Sequence, residues 1–197
     1  MNDKEYEEKR NFSKTDEPKG EKNAKPGKPI FVIQKHDASQ LHYDFRLQIE
    51  GKLQSWAVPK GPSTDPSEKR MAIPTEAHPL DYADFEGVIP EDEYGGGTVM
   101  IWDKGTFKNI KKTENGEPMD LKESFEEGTI EVWLKGEKLQ GGYALVEMKS
   151  GKRKGKWLLI KMDDEKADAR RNPVSTEKKS VETGRNLEEI NKEESED

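Results

Sequence analysis

The chain has 197 residues, of which 30% are hydrophobic and 38% charged, with a net charge of −7 and no cysteine. Disulfides, thiolate metal sites and cysteine nucleophiles are therefore excluded together. No apolar run approaches the roughly 18 residues that span a bilayer, and MNDKEYEEKR lacks the apolar segment of a signal peptide, so a soluble, cytoplasmic protein is expected.

Residues 1–28 hold only Tyr6 and Phe12 as aromatics and end in KNAKPGKP, which reads as a flexible charged arm. PIFVIQKH (29–36) is the first strand candidate. LHYDFRLQIE (41–50) alternates apolar odd positions with polar even ones, and KLQSWAVP follows across Gly51, which predicts a hairpin. KGPSTDPSEK (60–69) is a loop, RMAIP a short strand, and residues 75–97 a long irregular segment broken by Pro79, Pro90 and three glycines. Loops of that length are usually functional or disordered. Strands resume with TVMIWDKGTF (98–107), GTIEVWLKG (128–136), GGYALVEMK (141–149) and KWLLIKM (156–162). Lys149, Lys152, Arg153, Lys154 and Lys156 surround a glycine-rich hairpin tip. Residues 163–197 have 12 acids against seven cations and no aromatic, and read as an acidic, disordered tail with a short helix near NLEEINKEE. The expected fold is all-β: a compact barrel of about eight strands over 29–162, with a long active-site loop and disordered charged termini. The acidic total does not exclude a nucleic-acid partner, because local positive patches do the binding.

The polar face of 41–50 presents His42, Asp44 and Arg46 in a row, and His36 and Gln34 share a face on the preceding strand. Two imidazoles and a carboxylate on adjacent strands suit a divalent metal, with Mn, Fe or Zn fitting a ligand set without thiolate. A solvated sheet face would give the same alternation. Arg46 suits an anion held at such a metal, or a surface ion pair. His78 and Tyr82, four apart in the long segment, suit a site loop; Tyr82 packed on the barrel and His78 preceding a turn is the plainer alternative. GGGT (95–98) lacks the phosphate-loop pattern and reads as a tight turn. The basic tip at 149–156 suits a nucleic-acid backbone or solubility alone.

HDASQLHYDFRL (36–47), WAVPKGPS (56–63), EAHPLDYADFEGVIPEDEYGGGTVMIWDKGTF (76–107) and KWLLIKM (156–162) closely resemble the 3′-phosphoesterase domain of bacterial DNA ligase D. The resemblance covers roughly residues 6–165 and includes no polymerase or ligase region, so a stand-alone form is expected. It implies a β-barrel with the site on one open face and a divalent metal, Mn2+ by preference, with Zn2+ or Co2+ as alternatives. It further implies removal of a 3′-terminal ribonucleoside and then of the 3′-phosphate, leaving a 3′-OH for end joining. The partners implied are DNA or RNA–DNA primer–template 3′ ends, with a separate polymerase and ligase and no membrane. By the same resemblance His36, His42 and Asp44 are metal ligands, Arg46 and His78 phosphate-contacting residues and Tyr82 an essential tyrosine; in the mechanism expected from these roles a protonated His78 stabilises phosphoryl charge or assists the leaving 3′ oxygen, and Tyr82 orients the group. Gln34, Lys60, Arg70 and Glu76 fall on further substrate-binding positions, and Arg10 and Glu17 on positions tied to nucleoside removal. Where the family often has RDF, this chain has Asn11, an amide for a carboxylate, which bears on the diester step. Two other readings fit the residues: a non-heme iron oxygenase with an HxD…H triad of His42, Asp44 and His78, and a non-catalytic nucleic-acid-binding module.

Overall fold

The computed structural model describes residues 3–20 and 27–195. Nine antiparallel strands form among them: β1 (Ile30–Asp37), β2 (Leu41–Ile49), β3 (Lys52–Val58), β4 (Lys69–His78), β5 (Gly87–Ile89), β6 (Gly97–Asn109), β7 (Thr129–Gly136), β8 (Gln140–Glu147) and β9 (Trp157–Lys161). Eight of them close a ring in the order β1-β2-β3-β4-β9-β8-β7-β6, sealed by pairing of β6 with β1. Closure removes the free edges that an open sheet would expose. All eight strands expected from the sequence are present. The ninth, β5, lies inside the stretch read as one long loop and pairs with the start of β6.

The β2–β3 hairpin turns on Glu50 (φ 53°) and Gly51 (φ 77°). Both φ values are positive, which two-residue hairpin loops require for their twist to match the strands. The turn sets the register, pairing Ile49 with Lys52 and hence Arg46 with Ser55. The odd residues of β2 point inward, where Tyr43, Phe45, Leu47 and Ile49 pack with Phe31, Trp56, Trp102 and Leu159 in the barrel core.

Sequence periodicity missed the helix α2 (Leu121–Glu127). Its signals are local: the Asp120 carboxylate accepts from the backbone N–H groups of Lys122 and Glu123, and Gly128 caps the other end at φ 78°. Phe125 on α2 lies 6.0 Å from both Trp56 and Trp157 and covers one side of the barrel core.

The termini depart from the disorder expected of them. Residues 3–20 begin with a short helix, α1 (Asp3–Glu8), and lie against β4 and the 78–85 segment, with Tyr6 buried. KNAKPGKP falls mostly outside the described residues. Residues 163–195 wrap the barrel and include α3 (Pro173–Thr176) and α4 (Leu187–Ser195), the second lying where a short helix was expected. Ile190 of α4 is fully buried and joins the core cluster, and Trp102 Nε1 donates to the Glu177 carbonyl at 2.6 Å. Charged composition suggested disorder because averages hide single anchors: one tyrosine, one isoleucine and a few backbone contacts dock these segments. No helix among the described residues is long and apolar enough to cross a membrane.

Candidate active site

The even residues of β2 face outward, yet Asp44 and Arg46 are only 5% and 3% exposed. A second apolar layer covers this side of the barrel. It joins Tyr6, Tyr82, Ala83, Phe85 and Ile89 to outward residues of the sheet, Val32, Leu53, Val99 and Ile101. The row of polar side chains is therefore a buried cluster, not a solvated sheet face.

Pairing of β1 with β2 sets His36 opposite His42 and Gln34 opposite Asp44. His36 Nδ1 lies 3.6 Å from one Asp44 carboxylate oxygen and His42 Nε2 lies 3.5 Å from the other. One donor atom from each of the three falls within 4.8 Å of the others. These gaps exceed an ordinary hydrogen bond and are close to the ~3.0–3.4 Å that separates neighbouring ligands around an ion bound at about 2.1 Å. His42 Nδ1 meets the Gln40 carbonyl at 2.8 Å, so that nitrogen carries the proton and Nε2 turns its lone pair to the cluster, as a backbone carbonyl does for ligating histidines. His36 Nε2 is buried without a hydrogen-bond partner. Burial works against ionisation of Asp44, but Arg46 and the two imidazoles outweigh it and hold the carboxyl well below its usual range. The donor set fits a divalent cation.

Arg46 is fixed on three sides. Its Nε donates to Gln34 Oε1 at 2.7 Å, Nη1 to Ser55 Oγ at 2.8 Å and Nη2 to Asp44 at 3.2 Å. Gln34 also donates to the carbonyls of Tyr82 and Phe85, both at 2.9 Å. Its amide is thus spent on tying the 80–85 turn to the barrel and aiming Arg46. Ser55 was missed from sequence, although the two-residue turn at Gly51 fixes it opposite Arg46.

β4 carries a bulge opposite β3: Leu53 pairs with His78 and Ser55 with Thr75, so Glu76 and Ala77 stand against Gln54 alone. Thr75, Glu76 and His78 all line the cavity as a result. His78 sits between two guanidiniums, with Arg46 Nη1 3.0 Å from Nδ1 and Arg10 Nη2 3.2 Å from Nε2. Burial and the two arginine charges push its pKa well below the usual value. Both contacts set cationic groups against the ring, so without an anion beside it the protonated form expected for His78 is disfavoured. Nδ1 also meets the Glu76 carbonyl at 3.0 Å, so the ring proton sits on Nδ1 and points at that oxygen, while Nε2 accepts from Arg10. The HxD…H triad fails for the same reason, since His78 faces the arginines and His36 completes the cluster.

The N-terminal segment supplies the remaining wall. Arg10 stacks on Tyr6, 3.8 Å from the ring centroid, donates from Nε to Glu17 at 2.8 Å, and approaches Glu76 at 3.4 Å. Glu17 is 4% exposed and also accepts from Tyr82 Oη at 3.0 Å. Burial, with Glu17 adding to it, pushes the Tyr82 phenol well above its usual pKa. Asn11 points elsewhere: its Oδ1 accepts from Ser13 Oγ at 2.6 Å and Ser13 N at 3.2 Å, closing an exposed turn that an amide serves as well as a carboxylate.

The cavity so formed has a volume of about 260 Å³, lined by Arg10, His36, His42, Asp44, Arg46, Thr75, Glu76, His78 and Tyr82, with Ala38, Ile89, Tyr94 and Gly95 completing it. Lys60 and Arg70 do not join it. They line a separate groove of about 400 Å³ with Lys69, Arg153, Met71, Met148 and Leu158, on the β4–β9 side of the barrel, where Arg70 pairs with Glu68 at 2.7 Å.

Residues 34–147 match the family described as the DNA Ligase D 3′-phosphoesterase domain. The chain is 49% identical over 144 residues to the multifunctional non-homologous end joining protein LigD of Pseudomonas aeruginosa, covering 72% of this chain and 16% of that protein. It is 43% identical over 145 residues to the LigD of Mycolicibacterium smegmatis, covering 73% and 19%. For the LigD DNA repair protein of Mycobacterium tuberculosis the match is 43% over 147 residues, covering 72% and 18%. The matched region thus spans less than a fifth of each relative's length.

Proposed function

The chain belongs to the DNA ligase D 3′-phosphoesterase family, and from that premise we propose that it is a metal-dependent phosphoesterase that heals nucleic-acid 3′ ends. It removes a 3′-phosphate, and a 3′-terminal ribonucleoside, to leave the 3′-OH that a polymerase or ligase needs. The observation that carries this reading is the meeting of His36, His42 and Asp44 with Arg46 and His78 in one cavity.

His36, His42 and Asp44 would hold the divalent ion, Mn2+ by preference, which supplies Lewis-acid polarisation of a phosphate oxygen. Without it, Lys9, Arg10 and Arg46 are balanced by Glu17, Asp44 and Glu76, and a phosphate would meet no net attraction; a divalent cation tips the balance. Arg46, held rigid by Gln34, Ser55 and Asp44, neutralises charge on the phosphoryl oxygens with little reorganisation. His78 is oriented by its Nδ1 contact with the Glu76 carbonyl and by Arg10 at Nε2, and an arriving phosphate offsets the arginine field that disfavours a protonated ring, readying it to serve the leaving 3′ oxygen. Glu17 and Tyr82 position Arg10, and Gln34 positions Arg46. Lys60, Arg70 and the basic 149–156 turn hold the backbone of the strand away from the reacting end.

The test is His42→Ala, assayed on a primer–template ending in a 3′-phosphate with Mn2+, Zn2+, Co2+ or EDTA. We expect activity to fall by at least about 100-fold, since losing even an outer-sphere partner of a metal ligand costs about 10–100-fold. Circular dichroism should be unaltered, because His42 lies outside the barrel core. Full turnover by the variant, or by wild type in EDTA, would sink the reading.

A further inference from the structure

Three large apolar side chains are exposed among the described residues: Leu41, Ile73 and Tyr94. Tyr94 alone lines the cavity, at 49% exposure, whereas its other large apolar lining residues, Tyr82 and Ile89, are each 2% exposed. A half-open tyrosine at the mouth of a charged cavity offers a flat apolar face to whatever enters it.

The ring is held from three sides. Lys9 Nζ lies 5.0 Å from its centroid and the Arg10 guanidinium carbon 5.7 Å. The hydroxyl reaches Glu76 Oε2 at 3.4 Å, a long contact. The backbone beneath is fixed. A Cβ at Gly96 would sit 2.7 Å from the Pro90 carbonyl oxygen, and one at Gly97 2.2 Å from that of Asp37. Lys14 ties the same turn to the N-terminal segment through Asp92 at 2.9 Å and Glu93 at 3.1 Å. The triple glycine, read from sequence as a tight turn, thus presents a rigid ring next to Gly95, which approaches His36.

We propose that Tyr94 is a stacking platform for the nucleobase of the 3′-terminal nucleoside, and so sets the preference between ends that carry such a nucleoside and ends that carry a bare 3′-phosphate. A flat ring beside phosphate-binding cations is the arrangement that recognises single-stranded bases without regard to sequence. The ring stands against Arg10 and Glu76, with Gly95 beside it near His36, so it shares one cavity with a phosphate held at the cluster. The proposal rests on the end-healing reading but concerns binding, which can be measured apart from it.

The test uses primer–templates ending in one 3′-ribonucleoside or in a 3′-phosphate, with wild type, Tyr94→Phe and Tyr94→Ala. Tyr94→Ala should raise KM for the nucleoside-bearing end about 10-fold more than for the 3′-phosphate end, with kcat little altered, and Tyr94→Phe should behave as wild type. Equal losses on both ends, no loss, or a Tyr94→Phe variant as poor as Tyr94→Ala would overturn the proposal. A second readout does not need turnover. In the His42→Ala background, a 3′-terminal 2-aminopurine ribonucleoside should lose fluorescence on binding when Tyr94 is kept or changed by Tyr94→Phe, but not after Tyr94→Ala. Absence of ring-dependent quenching overturns the platform even if the enzyme is active. Quenching without turnover by the wild type on either end would leave the platform standing and defeat the end-healing reading instead.

Discussion

The two terminal segments are alike in composition and opposite in use. Each is rich in charge and poor in aromatics, and each lies along the barrel. The N-terminal segment delivers side chains: Arg10 and Glu17 enter the cavity region, and Tyr6 carries Arg10 on its ring. The described residues of the C-terminal segment deliver none to that cavity. It gives Ile190 to the core cluster, a carbonyl to Trp102, and the Val181 N–H to the Ile101 carbonyl at 3.0 Å. It also buries Lys138, whose ammonium reaches the carbonyls of Glu177 and Lys179. One segment is part of the site and the other part of the scaffold, and mutations should separate them.

The largest effects are expected from Ile190→Ala and Arg10→Ala. Truncating a fully buried isoleucine costs about 2–4 kcal/mol, a fall in Tm of roughly 5–15 °C for a chain this size, seen by thermal unfolding. Turnover below the transition should stay within about twofold. Arg10→Ala should part from Ile190→Ala in turnover. It takes a donor from His78 and leaves Glu17 buried without its cation, so activity should drop about 100-fold, as for loss of one preorganised donor, with a fall in Tm no smaller than that of Ile190→Ala. If the two variants gave the same profile, the division of labour would collapse. Tyr6→Phe removes the hydroxyl bond to the Pro18 carbonyl at 2.8 Å. A loss of about 1 kcal/mol, confined to residues 3–20, should appear as faster amide exchange there and not in the barrel.

The smallest effect is a pH trend. Burial pushes the Lys138 ammonium down to about 8, whereas an unfolded lysine titrates at about 10.4. As pH climbs from about 8 towards 10, the unfolded chain therefore holds a proton the folded chain has released, and stability rises. Lys138→Met should abolish that rise in urea titrations; a rise that persists in the variant would mean another group is responsible.

The strands were legible because their signal is repetitive: alternation over five or more residues is hard to produce otherwise. The same alternation assembled most of the site, since β1 and β2 had only to pair for His36, His42 and Asp44 to meet. Arg10 and Glu17 could not be placed by pattern. They are 66 and 59 residues from Glu76 in sequence, and only the docked segment brings them to it. Their resemblance to family positions was the one signal. Gln34 was legible as important but not in its role, because an amide on a polar face looks equally suited to a ligand or to a neighbouring arginine. Lys60 and Arg70 sit in a different groove, since β4 carries Arg70 at the end that pairs with β9 and His78 at the far end, which pairs with β3. β5 was too short to alternate, and α2 was marked only by its caps.

The irregularity opposite Gln54 decides how a sheet can surround a substrate. An unbroken strand shares its side chains equally between two sides, so neighbours in sequence never serve the same hollow. One surplus residue in β4 suspends that division, and three closely spaced groups, a hydroxyl, a carboxylate and an imidazole, converge on one space. The chemistry on this side of the barrel is therefore more sensitive to the length of the chain between Thr75 and His78 than to the identity of Ala77 within it.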